Sequence, residues 1–532
     1  MHSRRIPLRL TPLILLPLLL AACTTTPGDG PGPTTAERPA VYTHAATADP
    51  TPRRVKSETM EPLSHDDLWE RIRAGLSLPD SDHPRVDPHA NWFGRHQGYL
   101  DRVSERARLY LHFVVEQVEA RDLPMELALL PIIESAYYPF AYSHARASGL
   151  WQFIPATGQR FGLQQDWWYD GRRDVYASTH AALDYLEYLY RFFDGDWLLA
   201  LAAYNAGEGR VRNAVRANQR AGQPTDFWSL RLPRETMNYV PKLLATARVV
   251  AHPEQYGLRL NPLPNQPYFT KVYLDGQIDL ALAAELAEIS TDSLYQLNPA
   301  FNQWATRPDG PHYLLLPYDR AAPFSEAIAE LPADARIRWQ RHRIARGESL
   351  SVIAQRYNTT VAVLRDVNNL RSNTIRAGAE LVVPIAAASP DDYRLSAAQR
   401  TRATQERERS GQRIEHTVRS GDTLWDISRA HGVTVRQLAA WNGMAPRDTL
   451  RPGQRLVIWS QGGQTASVRT QSPSGATQRI TYTVRNGDSL WLIARRFNVS
   501  VNQLRSWNSL NGNVLRPGQR LTLYVDVTRQ TS

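Results

Sequence analysis

Cysteine is almost absent: Cys23 is the only one in 532 residues, so no internal disulfide holds this fold together. Lysine is absent from the last stretch, where residues 336–532 carry 30 arginines, no lysine and 13 acidic residues, a net +17. The whole chain is +10, which leaves the part before residue 336 at −7. The apolar run near the N-terminus, Leu10 to Ala22, is broken by Pro12 and Pro17 and is too short to span a bilayer comfortably. No nucleic-acid motif accompanies the basic tail, so we expect no DNA or RNA partner. The charge equally suits another anionic polymer, such as a cell wall with acidic peptide stems. A chain of this length exceeds one core, and three or more domains are expected.

Arg4, Arg5 and Arg9 precede the apolar run, so residues 1–22 read as a signal peptide. Leu20-Ala21-Ala22-Cys23 looks like a bacterial lipobox, in which the cysteine is lipidated and becomes the mature N-terminus. The plainer alternative is an ordinary signal peptide with a chance cysteine. Thr24 follows, not the aspartate associated with inner-membrane retention. The expectation is an outer-membrane lipoprotein facing the periplasm of a Gram-negative bacterium. Residues 23–61 are rich in Pro, Thr, Ala and Gly and form a disordered tether, reaching roughly 35 Å.

Residues 62–123 read as helical support. Leu100, Val103, Ala107, Tyr110, Leu111, Val114 and Val118 lie on one stripe of a single long helix. Residues 124–256 follow, with helices expected at Met125–Ser135, Ala181–Phe193 and Trp197–Tyr204. Leu129 to Gly158 holds one carboxylate, Glu134, at the end of a helix apolar nearly all round. Desolvation there raises a carboxyl pKa toward neutrality, the setting of a general acid. Taken alone, Glu134 reads as well as a surface residue at a fraying helix end.

Further on the chain repeats itself. Gly347-Glu348-Ser349-Leu350, Gly421-Asp422-Thr423-Leu424 and Gly487-Asp488-Ser489-Leu490 are equivalent, and Asn368, Asn442 and Asn508 follow at a constant spacing. Each unit runs strand, helix, helix, strand, at 338–385, 414–459 and 480–525. Segments 386–413 and 460–479 are rich in Ser, Pro, Gln and Arg and read as flexible linkers. Residues 266–320 show the same order in worn form, ending near Asn298 and Leu314, and are either a degenerate repeat or a packing segment.

Around Glu134 the chain resembles the family 1 lytic transglycosylases, whose Slt-type fold is related to goose-type lysozyme. The match is Glu134-Ser135, Ser143 and Gly149-Leu150-Trp151-Gln152-Phe153, then Ala203-Tyr204-Asn205-Ala206-Gly207, then Glu235-Thr236 and Tyr239-Val240. In one place it departs: the family pattern has glycine after the Ser-x-Ala opening, where Arg146 stands here. This is expected to alter a loop near the cleft and not the catalytic position. The repeats resemble LysM domains, which bind N-acetylglucosamine-containing glycans. The resemblance implies a multidomain protein, with an all-α lysozyme-like catalytic domain at 124–256 followed by small α+β (βααβ) LysM modules on flexible linkers.

It also implies the chemistry. A glycosidase usually pairs two carboxylates. The nearby candidates Asp170, Asp174 and Glu208 match no family nucleophile. In the family the substrate's N-acetyl group assists and its C6 hydroxyl closes on C1. Peptidoglycan is then cut between MurNAc and GlcNAc without water, leaving a 1,6-anhydroMurNAc end. Glu134 would serve as acid, then base. Ser143 and Gln152 would bond sugar or acetamido groups, Tyr204 and Asn205 would position the sugar, and Tyr239 would lie near the acid. No metal or other cofactor is implied, and a monomer is expected. A hydrolytic muramidase and a non-catalytic peptidoglycan-binding lipoprotein are the competing readings. In the repeats, glycan contacts fall to Gly421, Asp422, Thr423, Trp425 and Asn442, and to Gly487, Asp488, Ser489, Trp491 and Asn508. Trp425 and Trp491 lie off the core stripe of their helices; Ser351 holds that place in the first unit, which should bind most weakly.

Overall fold

A computed structural model describes residues 66–79, 83–357, 359–460, 477–485, 488–497, 499, 501–508, 510 and 515–526. The signal peptide, Cys23, the tether, most of the segment 460–479 and Gly487 lie outside the described residues. In chain order the first body has α1 (Leu68–Ala74), α2 (Asp87–Gly94), α3 (Gln97–Ala107), α4 (Leu111–Glu119), α5 (Leu130–Ser135), α6 (Pro155–Arg160), α7 (Val175–Phe192), α8 (Trp197–Ala206), α9 (Glu208–Arg220) and α10 (Arg234–Ala251). α8 reads WLLALAAYNA, and Leu199 to Ala203 are all buried, with α7, α9 and α10 packed around it. Asp174 caps α7 by accepting Ala177 N at 2.7 Å, and Asp196 caps α8 by accepting Leu199 N at 2.9 Å. Among the described residues no helix is long and apolar enough to cross a membrane.

Two helix expectations change. The stripe from Leu100 to Val118 is buried as expected, but it is carried by α3 and α4, with a break at residues 108–110. At the break the Tyr110 hydroxyl donates to Gln296 O at 2.8 Å, bonding to the next body. The helix expected over Met125–Ser135 starts as a 3₁₀ turn, Met125–Leu129, before α5. There the buried Glu126 accepts Leu78 N at 2.9 Å and Ser77 N at 3.1 Å, tying the turn to the segment after α1.

The second body is β1 (Phe269–Tyr273), α11 (Leu280–Leu286), α12 (Thr291–Leu297), β2 (Tyr313–Pro317) and α13 (Ala321–Glu330). β1 and β2 pair antiparallel, Phe269 opposite Pro317 and Tyr273 opposite Tyr313. Its core includes Trp168 and Tyr169 from the first body, so this unit both has the βααβ order and packs on its neighbour.

Three modules repeat that order: β3 (Arg338–Arg343), α14 (Leu350–Arg356), α15 (Val361–Val367) and β4 (Glu380–Ile385); then, after α16 (Ala397–Glu406), β5 (Gln412–Thr417), α17 (Leu424–Ala430), α18 (Val435–Trp441) and β6 (Arg455–Ser460); and last β7 (Thr477–Thr483), α19 (Leu490–Arg496), α20 (Val501–Asn508) and β8 (Arg520–Asp526). Each has one antiparallel strand pair and a small apolar core of its own.

Segment 386–413 is no flexible linker, contrary to its composition. The Tyr393 hydroxyl donates to the buried Asp279 at 2.9 Å, Ala387 N donates to the same carboxylate at 2.9 Å, and Ala397 N donates to Asn302 O at 2.8 Å. Tyr393 enters the core of the second body. A few anchored groups thus order a strap that is too polar to fold alone.

Candidate active site

The chain turns back sharply after α5, since Ala136 and Tyr137 both adopt left-handed backbone at φ 52° and 54°. Such strain persists only where the surroundings over-determine it. Here Ser135 Oγ donates to Leu150 O at 2.9 Å and the buried Tyr137 hydroxyl donates to Ala128 O at 2.8 Å. Glu134 is thereby fixed at the last turn of a helix whose other side is core.

The facing wall is the loop that ends in Gly149-Leu150-Trp151-Gln152-Phe153. Gly149 has φ +83°, and a Cβ there would lie 2.0 Å from Arg172 O, so no other residue fits. Leu150 and Trp151 go into the core, where Trp151 Nε1 donates to Thr179 Oγ1 at 3.0 Å. Gln152, at φ +51°, turns to the cleft. Its Nε2 donates to Gly149 O at 2.8 Å, which leaves Oε1 as the acceptor on offer. The remaining walls come from the end of α8 and one face of α10.

All the residues expected around the acid line one cleft of about 600 Å³: Glu134, Ser143, Gln152, Tyr204, Asn205 and Tyr239. The Tyr239 hydroxyl donates to Glu134 Oε1 at 2.5 Å. Tyr204 donates to Trp151 O at 2.8 Å, so it braces the opposite wall. Asn205 Oδ1 accepts the Thr236 hydroxyl at 2.8 Å, leaving its amide N–H groups to donate. Ser143 Oγ accepts Ala147 N at 3.0 Å and keeps its own proton to give.

Burial pushes the Glu134 carboxyl up to about 7; the Tyr239 hydrogen bond and Lys242 pull it down, and Glu235 pushes it up further. Within ten residues of sequence no cation stands near Glu134, but in space Lys242 does, with its own pKa lowered by burial and partly restored by Glu134. Lys242, Glu235 and Asn238 also line the cleft and were not singled out from sequence as site residues. Their signal was available: with Tyr239 they recur at helical spacing on α10.

The other candidate carboxylates are engaged elsewhere. Asp170 is buried, but Arg173 and Arg172 outweigh that and hold it below the ordinary carboxylate range; Arg172 Nη2 lies 2.7 Å away. Asp174 caps α7 and accepts the hydroxyls of Tyr169 and Tyr313, each at 2.7 Å. Glu208 pairs with Arg160 at 3.0 Å. A larger hollow of about 930 Å³ lies between Arg71, Glu119, Glu187 and Trp197. Its Glu119 is paired with Arg71 and its Glu187 with Arg121.

In the modules several expected glycan contacts prove structural. Asn442 is 1% exposed, and its side chain donates to Leu438 O and Val457 O and accepts Val457 N. Asn508 makes the same three bonds to Leu504 and Thr522. Asn298 makes them too, to Leu294 and Leu315, which ties the worn unit to the repeat. The carboxylates of Asp422 and Asp488 close the turn before the first helix by accepting Arg419 N and Arg485 N. Thr423 and Ser489 accept backbone N–H groups of that helix. Gly421 is required by φ +92°. Trp425 is different: it is 50% exposed, with the Arg429 guanidinium 4.7 Å from its ring. The side chain of Trp491 lies outside what is described.

Known proteins resemble this chain in the same places. The Transglycosylase SLT domain model matches residues 114–227, the LysM domain model matches 342–384, 416–459 and 482–523, and a model described as Lytic transglycosylase MltD, LysM-like domain matches 268–333. The SLT match stops before α10, which carries Glu235, Tyr239 and Lys242. The chain is 37% identical over 459 residues to the membrane-bound lytic murein transglycosylase D of Escherichia coli (strain K12), covering 86% of each chain. It is 31% identical over 182 residues to an autolysin of Enterococcus faecalis, covering 34% of this chain and 24% of that one. Among solved structures it resembles the 70 kDa soluble lytic transglycosylase SLT70 of Escherichia coli, at 22% identity, 33% and 30% coverage and a TM-score of 0.23. By the extent of the first of these relatives and the three kinds of module it carries, the chain belongs to the membrane-bound lytic murein transglycosylase D family.

Proposed function

We propose that this chain cleaves the MurNAc-β-1,4-GlcNAc bond of peptidoglycan without water and leaves 1,6-anhydroMurNAc ends. The observation that carries the reading is Glu134, a carboxyl pushed up to about 7 in a sugar-sized cleft and hydrogen-bonded by Tyr239. Near pH 7 such a group is protonated in a large fraction of molecules. Tyr239 occupies Oε1, so the proton resides on Oε2. It passes to the glycosidic oxygen as the C1–O bond breaks. The acetamido oxygen of MurNAc meets the positive charge at C1. The C6 hydroxyl then attacks C1, and its proton returns to Glu134, so no water is consumed. Lys242 and Tyr239 favour the carboxylate during the interval in which it is charged. Ser143, Gln152, Tyr204 and Asn205 hold the sugars.

A hydrolytic reading draws on Glu235, the other carboxylate among the described cleft residues, which is exposed and free to hold a water. The mass of the product decides. Digested wall yields a muropeptide lighter by one water under the first reading and a reducing end under the second; no product would leave only a wall-binding protein. The modules bind the glycan through exposed aromatics such as Trp425. The chain works as a monomer, held to the outer membrane on its periplasmic face by lipid on Cys23.

A further inference from the structure

Arg146 has φ +68°, the left-handed backbone that suits glycine and costs an ordinary residue energy. It stands in the lip of the cleft, between the cleft-lining residues Ala145 and Ala147. Strain at such a place points to a function for the side chain. That side chain leaves the first body: Arg146 Nε lies 2.9 Å from Asp448 Oδ1, in the loop between α18 and β6 of the second LysM module. The Tyr142 hydroxyl, on the same lip, donates to Asp448 at 3.1 Å. Asp448 is held ready by its own loop, since Oδ2 accepts Ala445 N at 2.8 Å. The module is gripped a second time, where Gln405 of α16 donates to Asn442 Oδ1 at 2.8 Å and to Arg455 O at 3.1 Å. On the same helix, Arg400 lies 4.5 Å from the ring of Phe140, just after the turn that fixes Glu134.

We propose that the second LysM module is latched to the lip of the active-site cleft by Arg146, Tyr142 and Asp448, and that the latched module serves as a fixed extension of the surface that aligns a glycan polymer with the cleft. The glycan part rests on the function proposed above; the latch does not. An intramolecular contact of this kind needs little intrinsic affinity, because the strap keeps the partners at high effective concentration. A bead on a loose string would add wall affinity without regard to direction. A latched module holds the strand in one orientation relative to Glu134, which matters for a polymer and not for a fragment that fits the cleft alone.

Two substitutions in the full chain test this. Arg146→Gly removes the guanidinium and relaxes the left-handed backbone, so the first body keeps its fold. Asp448→Asn removes the charge and keeps an oxygen for Ala445 N. Hydrogen–deuterium exchange should rise in both variants over residues 141–147 and 445–450 together, and small-angle scattering should show a larger radius of gyration. KM for insoluble wall should rise roughly two- to fivefold, the range of one exposed ion pair, while kcat on a short soluble glycan stays unchanged. The doubly reversed variant Arg146→Asp with Asp448→Arg should regain part of the native KM. Unchanged exchange in both segments would overturn the latch whatever the enzyme does. Raised exchange with unchanged KM on wall would overturn the alignment role. Raised exchange with higher activity on wall would overturn it too, and would mean that the module covers the cleft.

Discussion

Tyr239 donates its hydroxyl to Glu134 Oε1 at 2.5 Å, across 105 residues of sequence. The bond joins the end of α5 to the second turn of α10 and is the one direct hydrogen bond to the acid among the described residues. A hydrogen bond from a hydroxyl favours the carboxylate over the carboxylic acid. Tyr239→Phe should therefore push the Glu134 pKa above about 7, and Lys242→Met should act in the same direction by removing a positive charge. Since the first step needs the protonated form, the alkaline limb of kcat/KM should move to higher pH in both variants. The second step needs the anion, so kcat should fall, by about tenfold. A limb that moves to lower pH would refute the assignment.

Glu134→Gln should abolish cleavage of wall, a loss of at least 10²–10⁴ in rate for a general acid. It should also stabilise the protein, and only at one end of the pH range. The folded pKa of about 7 exceeds the ordinary value of 4.5, so the folded chain binds the proton more tightly than the unfolded one. The native residue therefore costs nothing below pH 4.5, and its cost grows as pH rises to about 7, to the order of 2–3 kcal/mol. Melting curves of native and Glu134→Gln protein at pH 4 and pH 8 measure this: equal at the first, with the variant higher at the second.

How far the sequence could be read depended on where each signal lies. Glu134 was legible from the apolar helix that it ends, and Gly149 and Gln152 from the short motif Gly149-Leu150-Trp151-Gln152-Phe153 that carries the family resemblance; that the glycine must clear Arg172 O shows only in the fold. Lys242 shares a helical face with Tyr239, but that spacing does not by itself join the face to Glu134; the relation exists only after α5 and α10 pack together. Asn442 and Asn508 repeat at fixed spacing, and spacing alone reads the same for a ligand contact and for an internal clamp; the direction of the side chain decides. The strap at 386–413 was misread because composition averages over a segment. A few anchors, Tyr393 and Ala387 on the buried Asp279 and Ala397 on Asn302, order what the average calls disordered.

The clamp and the exposed tryptophan should respond differently. Asn442→Ala leaves Val457 N and O and Leu438 O without their partner inside the module, each unsatisfied group costing about 1–3 kcal/mol. The second module should then unfold well below the temperature of the rest. Trp425→Ala should leave melting unchanged and weaken binding to chitin oligomers. If Asn442→Ala melts normally and loses only binding, its original reading as a glycan contact returns.

Cys23→Ser should leave an unprocessed precursor or a soluble protein in place of a membrane-anchored one. Fractionation of cells expressing the variant checks this. Normal processing together with recovery in the outer membrane would refute the lipobox reading.

The strap alters how the modules must be removed to test them. A chain ended after residue 335 loses Tyr393 and Ala387, and Asp279 then keeps its buried carboxylate with only its own helix to serve it. Arg336, paired with Asp275, is lost as well. That chain should melt several degrees below one ended after residue 410, which keeps the strap and the first module. The second truncation is the fair test of wall binding. It lacks the latched module and Trp425, so affinity for insoluble wall should fall much more than cleavage of a short soluble glycan, because binding that acts alike on substrate and transition state does little for the chemical step. The removed part is also strongly basic, and charge attraction alone would produce a similar loss. Salt separates the two, since attraction between exposed charges is screened within about 10 Å at 0.1 M. Sedimentation of the intact chain with purified wall at low and high salt, with and without chitin oligomers, should show binding that survives salt and yields to the oligomers. Binding that vanishes with salt and ignores the oligomers would leave only the charge.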